Sequence, residues 1–172
     1  MKNPVLSIIT TSLNRRGLLE KTLKSVLNQS YRFVEHVVVD AASSDGTREM
    51  LKSYEPFYAK KGATLRWISE KDSGQGEGMN KGLRMATGDY VTILNSDDFL
   101  YEGDTLRLFM EELKKNQEID FIYGDHDTIF DDKRRETVHH RYYTLNDILK
   151  GGYQLPQSGG IFRRALIDKV GY

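Results

Sequence analysis

The sequence has 172 residues, 38% of them hydrophobic and 29% charged, which suits a single globular domain large enough for a real core. Its 25 basic and 25 acidic side chains cancel, so no net charge favours nucleic acid or an anionic membrane as partner. The absence of cysteine excludes disulfides, a thiolate nucleophile and a thiolate zinc site. The apolar runs are too short to predict a signal peptide or a transmembrane helix.

The first hundred residues alternate between strand-like and helix-like patterns. The predicted strands are 5–10, 34–40, 65–69 and 90–94, and helices are predicted at 16–29, from Thr47 onward and at 77–86. Apolar strands separated by helices are typical of a parallel sheet joined by right-handed crossovers. We therefore predict an α/β fold, a Rossmann-like three-layer α/β/α sandwich with a mostly parallel central sheet.

The pattern changes after residue 100. An amphipathic helix is predicted at 105–115 and a strand at 119–123, followed by a hairpin of 125–130 with 136–142. A short helix at 144–149, a strand at 161–162 and a helix at 165–170 complete the chain. Because we find no repeat or linker, we predict one domain with a small C-terminal hairpin and helix region.

An acidic segment, Asn95-Ser96-Asp97-Asp98, follows the fourth predicted strand. Ligands of open α/β sheets bind at the carboxyl ends of the strands. Adjacent carboxylates repel each other unless a positive charge lies near, and a hard divalent cation with phosphate oxygens in its shell meets that need. A solvated turn that caps a helix explains the same residues equally well.

Three other loops are expected at the same edge, at residues 11–14, 40–46 and 70–76. Asp40 could accept a hydrogen bond from a nucleobase N–H and Thr11 could donate or accept one, although Asp40 could equally be a turn or cap residue. The glycines at 74, 76 and 78 lack the spacing of a dinucleotide fingerprint. They still suit a loop whose backbone N–H groups receive a diphosphate, with Lys71 and Lys81 as electrostatic helpers.

The histidines at 126, 139 and 140 suggest a metal site at first sight. Their spacing is not that of ordinary zinc ligands, so we interpret them as part of a surface hairpin. The sequence contains neither a Gly-x-Ser-x-Gly elbow nor a Walker loop.

In chain order, the loop segments resemble those of the family-2 glycosyltransferases of the GT-A fold. The resemblance is carried by SIITTSLNR (7–15), SVLNQSY (25–31), VVVDAASSDGT (37–47), EKDSG (70–74), MNKG (79–82), ATGDY (86–90) and NSDD (95–98). A later, looser match is QSGGIFRR (157–164). The family often has Asp at the position of Asn95 and Tyr at that of Leu13, where leucine loses aromatic stacking on a base.

The resemblance implies a role for each matching residue. Thr11 and Asp40 would bind the nucleobase, usually uracil. Asp72 and Asn80 would order the nucleotide side of the cleft, and Asp97 would approach the ribose. Asp98, with Asp97 beside it, would bind Mg²⁺ or Mn²⁺. The general base would lie beyond Tyr172, so no catalytic residue is named, and the chain is expected to be a truncated form that turns over poorly.

The implied function is inverting transfer of a sugar, of hexosyl or hexosaminyl type, from a UDP-sugar to a glycan or lipid-linked saccharide. Residues 1–100 would form the nucleotide-sugar half and 101–172 part of the acceptor half. The setting would be bacterial surface polysaccharide assembly in the cytoplasm, with peripheral contact at the inner face of the membrane. Three alternatives remain open: a non-catalytic nucleotide-sugar-binding module, a nucleotidyltransferase and an NAD(P)-dependent Rossmann protein.

Overall fold

The computed structural model describes residues 3–101, 103–131, 133–140 and 159–171. Its main feature is a six-stranded sheet of order β3-β2-β1-β4-β8-β5, with a separate two-stranded sheet of β6 and β7. The strands are β1 Leu6–Ser12, β2 Val34–Asp40, β3 Thr64–Ser69, β4 Tyr90–Ile93, β5 Phe121–Tyr123, β6 His126–Ile129, β7 Arg135–Val138 and β8 Gly160–Arg163.

The first four strands run parallel to one another. Ser12 at the end of β1 lies beside Asp40 at the end of β2, which in turn lies beside Ser69 at the end of β3. On the other side of β1, Leu6 is in register with Tyr90 of β4. The predicted mostly parallel sheet is therefore confirmed, and its four carboxyl ends share one edge. Only β8 departs from this direction among the described strands of the main sheet, because it pairs antiparallel with both β4 and β5.

Helices cover both faces of the sheet. They are α1 Arg16–Leu27, α2 Thr47–Lys61, α3 Gln75–Met85, α4 Thr105–Lys115 and α5 Arg164–Val170. Side chains of α1, α2 and α4 pack with Leu6, Ile8 and Val38 in the larger core. The α3 and α5 helices pack on the other face, against Ile9 and Val37. This arrangement confirms the predicted three-layer α/β/α sandwich.

Two glycines allow close backbone approach behind the carboxyl edge of the four parallel strands (the rim). Gly82 of α3 lies directly on Ile9 of β1, where an added Cβ would overlap the Ile9 side chain. Gly88 precedes β4, and a Cβ there would lie 2.7 Å from the Val5 carbonyl oxygen. Because real Cβ atoms do not approach this closely, both positions require glycine for the observed packing. The tight contact of Gly82 with Ile9 fixes the position of α3 relative to β1.

The later elements follow the sequence prediction, with shorter bounds for β5 and the hairpin strands and slightly longer ones for β8 and α5. The hairpin forms between β6 and β7, with His126 in register with Val138 and Ile129 with Arg135. The strand predicted at 161–162 is β8, whose position between β4 and β5 the sequence did not indicate. The predicted helix at 144–149 lies outside the described residues. Within the described ranges, none of the helices combines the length and the apolar character needed to cross a membrane.

Candidate functional site at the carboxyl edge of the sheet

The loops that leave β1, β2, β3 and β4 meet at one edge of the molecule. Neighbouring β1 and β4 form the point at which the strand order reverses, since β2 and β3 lie on the far side of β1. In open α/β sheets the crevice at such a switch point is the usual ligand site. Contacts tie the loops together there: Gln75, at the start of α3, donates from Nε2 to Asn95 Oδ1 at 3.0 Å. The structure therefore confirms the prediction that the four loops converge at one edge.

The acidic segment 95–98 is an ordered turn. The Asp98 backbone N–H donates to the Asn95 carbonyl at 3.0 Å, and Asn95 Nδ2 donates to Asp98 Oδ2, also at 3.0 Å. The Asp98 carbonyl accepts from Thr22 Oγ1 of α1 at 2.8 Å. Asn95 therefore has a definite role here, because its amide donates to a carboxylate where a second aspartate would repel it.

Asp97 is held differently from Asp98. Its Oδ2 lies 2.5 Å from Nη1 of Arg15, which belongs to the loop after β1. Both side chains are about half exposed, at 48% for Asp97 and 50% for Arg15. The ion pair bridges the two loops across the switch point, so a guanidinium already lies beside the Asp97 carboxylate.

Asp40 ends β2 in a fully buried position. Its Oδ2 accepts from Ser69 Oγ at 2.6 Å and from the Ser43 backbone N–H at 3.0 Å, and its Oδ1 accepts from the Ser43 hydroxyl. Asp40 thus organises the loop after β2, which is the role that the turn interpretation predicted. A nucleobase could reach this carboxylate only if the loop at residues 41–44 shifts.

Thr11 and Asp72 lie together on the α3 side of the sheet, with Gly78 between them. A Cβ on Gly78 would lie 3.0 Å from Thr11 Cγ2 and 3.2 Å from Asp72 Oδ2. Asp72 also receives the Gly74 N–H through Oδ1 at 3.0 Å. Since side chains alternate along a strand, Thr11 points to the face opposite to Ser12 and its neighbour Asp40. The two residues assigned to the base therefore share the edge but lie on opposite faces.

Asn80 and Lys81 lie farther from the rim. Asn80 is the sixth residue of α3, about 8 Å along the axis from its first residue by the rise of an α-helix. Lys81 Nζ lies 2.8 Å from Glu70 Oε1 and 3.2 Å from Glu77 Oε1, so this proposed electrostatic helper is engaged in local ion pairs. The pKa of Glu77 falls to about 2 because Ser73 donates to its carboxylate, with a further contribution from Lys81.

Ser12 supplies an unexpected feature next to Asp40. Its hydroxyl is buried and has no hydrogen-bond partner within the described ranges. Buried hydroxyls are normally satisfied, and Ser12 lies in register with Asp40 at the end of the strand. An unused donor and acceptor therefore lies on the same face as the Asp40 carboxylate.

The aspartates of the hairpin are engaged in local bonds. Asp125 accepts from the His140 backbone N–H at 2.8 Å and lies 2.7 Å from His139 Nδ1, and these contacts lower its pKa. Asp127 accepts from Thr137 Oγ1 at 2.6 Å and pairs with Arg135, which lowers its pKa as well. A carboxylate stabilised in this way is a weak base, so neither residue is assigned as the general base.

The donor set of the rim fits a hard divalent cation. Asp97 and Asp98 offer carboxylate oxygens and Asn95 an amide oxygen, which are ligand types that Mg²⁺ and Mn²⁺ accept. Across the described ranges, no three His, Asp or Glu side chains are gathered as a complete metal cage. A cation at this pair would therefore draw part of its shell from phosphate and water.

The sequence alone indicates no role for Arg15, Gln75, Ser43 or Ser69. Two adjacent arginines follow Asn14, and the sequence has no signal that selects Arg15 over Arg16 as the partner of Asp97. Ser69 could have been suspected as a partner of Asp40, because both residues end neighbouring predicted strands. Contacts such as Gln75 to Asn95 depend on how the loops fold and have no periodic signature.

Comparison with known proteins is consistent with this geometry. The sequence matches the family model "Glycosyl transferase family 2" over residues 7–170. It is 31% identical over 171 residues to an uncharacterized glycosyltransferase of Mycobacterium tuberculosis, covering 98% of this chain and 62% of that protein. The chain thus spans less than two thirds of the length of this curated relative.

Two solved structures have the same fold. TarS of S. aureus, in a crystal structure with UDP-GlcNAc, matches with a TM-score of 0.73 and 21% identity over 96% of this chain and 47% of TarS. The mannosyltransferase PcManGT of Pyrobaculum calidifontis, in complex with GDP-Man and Mn²⁺, matches with a TM-score of 0.72 and 22% identity. That match covers 99% of this chain and 48% of PcManGT.

Proposed function

The chain belongs to glycosyl transferase family 2, and from that premise we propose that it binds the donor in a metal-assisted, inverting sugar transfer. The donor is a nucleoside diphosphate sugar, with UDP as the preferred nucleotide, and the acceptor is a hydroxyl of a glycan or lipid-linked saccharide. One observation carries the proposal: the Asp97-Asp98 pair lies at the β1/β4 switch point, where the loops after all four parallel strands converge.

The chemistry of the leaving group explains why such a rim suits the reaction. When the bond between the anomeric carbon and the phosphate oxygen breaks, negative charge grows on the departing nucleoside diphosphate. Positive charge aimed at those oxygens lowers the barrier. A divalent cation held by Asp98 and Asp97 supplies that Lewis-acid stabilisation when bound. Arg15 pairs with Asp97 and brings a second positive charge to the crevice.

We assign the nucleobase of the donor to the part of the crevice formed at the carboxyl ends of β1, β2 and β3. Asp40, once the loop at residues 41–44 shifts, offers an acceptor, and the Ser12 hydroxyl, which has no partner among the described residues, offers a donor on the same face of the edge. Thr11 with Asp72 lines the other face. Asn80 is assigned to the same nucleotide side. The identity of the base is open to test, since one structural neighbour is described with UDP-GlcNAc and another with GDP-Man.

We divide the chain by role within one domain. Residues 1–100 form the donor half, because they contain all the rim residues named above. Residues 101–172 form part of the acceptor half, which begins after the acidic segment. A saccharide linked to a lipid would bring this half to a membrane surface. Asp125 and Asp127 are engaged in the hairpin, so we assign no group that removes the proton of the acceptor hydroxyl.

Isothermal titration of the 172-residue chain tests donor binding. We expect UDP to bind in the presence of Mn²⁺ and to bind at least about tenfold more weakly after Asp98→Ala, a loss of 1.4 kcal/mol or more. Asp131→Ala is the matched control, because Asp131 is an exposed turn residue of the hairpin. A parallel titration with GDP tests the choice of nucleotide.

Several outcomes would contradict the proposal. UDP affinity that is the same with and without Mn²⁺, or the same in Asp98→Ala and the parent chain, removes the metal site from the acidic segment. Tighter binding of GDP than of UDP corrects the nucleotide. Metal-dependent UDP binding without any sugar transfer favours the non-catalytic binding module instead.

A further inference from the structure

Arg15 occupies a distinctive place at the rim. It precedes α1, and its guanidinium reaches across the switch point to Asp97, with Nη1 2.5 Å from Oδ2. The adjacent Arg16 uses its backbone N–H to donate to Asp45 Oδ2 at 2.8 Å, which ties the start of α1 to the loop before α2. The Arg16 side chain lies towards Gly46, with its Cδ 3.7 Å from the position of a Cβ there, so Arg15 is the one of the two that pairs with the acidic segment.

The backbone that carries Arg15 is firmly held. Asn14 adopts a left-handed conformation with φ 51°, which asparagine tolerates better than most residues. Its N–H donates to Ser43 Oγ at 2.8 Å, and its Oδ1 accepts from the Ser44 N–H at 2.9 Å. The loop thus has two anchors on the loop after β2, and the direction in which the Arg15 side chain leaves it is fixed.

The ion pair itself is easily exchanged. Both partners are about half exposed, and exposed ion pairs contribute little net free energy because water screens them. No second side chain contacts Asp97 among the hydrogen bonds and ion pairs of the described residues. A ligand that offers either partner a better counter-ion can therefore separate the pair at small cost.

A bound donor offers both partners a better counter-ion. A divalent cation competes with the guanidinium for Asp97, and two positive groups at one carboxylate repel each other. The diphosphate that accompanies the cation presents several charged oxygens, and the planar fork of arginine binds such groups through paired N–H donors. Arg15 would exchange one anionic partner for another without leaving the crevice.

We propose that Arg15 is an exchangeable counter-ion of the acidic segment, which holds Asp97 while the cleft is empty and transfers to the diphosphate when a donor binds. This inference rests on the proposed donor-binding function. It makes Arg15 a binding residue whose effect on the cation is opposite to its effect on the nucleotide. That opposition distinguishes it from a residue that merely shapes the loop.

The test measures two affinities in Arg15→Gln. Mn²⁺ binding without nucleotide, followed by the electron paramagnetic resonance signal of free Mn²⁺, should tighten by about two- to fivefold, the scale of an exposed ion pair. UDP binding at saturating Mn²⁺, followed by titration calorimetry, should weaken by about ten- to a hundredfold, the scale of hydrogen bonds between charged groups. Arg15→Lys keeps the charge without the fork, so it should restore the parental Mn²⁺ affinity and part of the UDP affinity.

Arg16→Gln is the matched control, since it removes a neighbouring arginine that does not contact Asp97; both affinities should stay at parental values. If Arg15→Gln leaves both affinities unchanged or weakens both, the exchange does not occur and the inference is wrong. If the parent chain binds UDP and Mn²⁺ normally in that experiment, donor binding survives while the role of Arg15 does not. Failure of the parent chain to bind either ligand overturns both.

Discussion

Strand β2 and the loop after β4 hold their ionisable side chains in opposite ways. In β2, the Glu35 carboxylate is buried and accepts from Ser7 Oγ at 2.5 Å, from Arg66 Nη1 at 2.8 Å and from Thr87 N–H at 2.8 Å and Oγ1 at 2.9 Å. Burial alone would raise the pKa of Glu35, but these donors outweigh it and lower the pKa below its ordinary value. Asp97 is half exposed and pairs with one arginine.

His36 extends the pattern of β2 on the opposite face of the strand. Thr10 donates to the Leu94 carbonyl at 2.7 Å, so its Oγ1 must accept from His36 Nε2–H at 2.9 Å. Nδ1 is then free of hydrogen and accepts from the Tyr58 hydroxyl at 2.6 Å, a shorter contact than the 3.3 Å from that hydroxyl to the Leu23 carbonyl. The network therefore selects the neutral Nε2–H tautomer. A side chain whose bonding capacity is fully used in this way stabilises the fold, whereas a lightly held one can change partners with a ligand.

The largest effect expected from this comparison is that of Glu35→Ala. The variant leaves Arg66, Ser7 and Thr87 without their common acceptor, and we expect the free energy of unfolding to fall by about 3–5 kcal/mol. Urea unfolding followed by circular dichroism measures it. Glu111→Ala is the control, because Glu111 pairs with Arg107 at 2.9 Å on the exposed face of α4. Equal losses in the two variants would remove the distinction between the buried and exposed pairs.

The second effect is a dependence of stability on pH. Burial lowers the pKa of His36 to about 3 from an ordinary 6.5. Below pH 6.5 the unfolded chain binds a proton that the folded chain does not, so stability falls as the pH falls towards 3. This group changes the free energy of unfolding by about 1.4 kcal/mol per pH unit. The loss between pH 6.5 and pH 4.5 is therefore about 2–3 kcal/mol.

Urea unfolding at a series of pH values measures that slope, and His36→Gln isolates the contribution of the imidazole. Glutamine can donate to Thr10 and accept from Tyr58 but does not bind a proton in this range. We expect the variant to lose less stability between pH 6.5 and about 4.5 than the parent chain. Parallel curves for the two proteins would show that His36 is already protonated in the folded state.

The smallest expected effect on stability is that of Asp97→Asn. The exposed pair with Arg15 contributes little, so the free energy of unfolding should change by less than about 1 kcal/mol. The same variant should lose Mn²⁺-dependent UDP binding by titration calorimetry. A loss of stability as large as that of Glu35→Ala would show that Asp97 stabilises the fold as Glu35 does.

Periodic features of the sequence predicted the fold well. The runs that become β2 and α4 are found at the predicted bounds, 34–40 and 105–115, because a buried strand and an amphipathic helix each repeat one pattern along their length. Leu18 of α1 departs from the pattern, since it is apolar but 40% exposed. Strands of three or four residues, such as β5 and β8, are too short for a pattern to fix their partners or direction.

The site was predictable only to the level of its edge. The motifs brought Asp40, Asp72 and the Asp97-Asp98 pair to the ends of parallel strands, which the sheet order confirms. The sequence could not reveal that the Asp40 oxygens are already occupied by Ser43 and Ser69. Nor could it place Thr11 and Asp40 on opposite faces, because the relation between neighbouring strands depends on their register, which the sequence of one strand does not contain.

The position of β8 also bears on how the chain assembles during synthesis. β4 and β5 can join one sheet only through β8, which lies between them but leaves the ribosome long after both. Until residues 160–163 emerge, β4 offers an unpaired backbone edge to any other extended chain nearby. The four parallel strands can pair early, whereas β5 joins the main sheet after β8 is available. Nascent or proteolysed chains that lack β8 are therefore the form of this protein most exposed to aggregation.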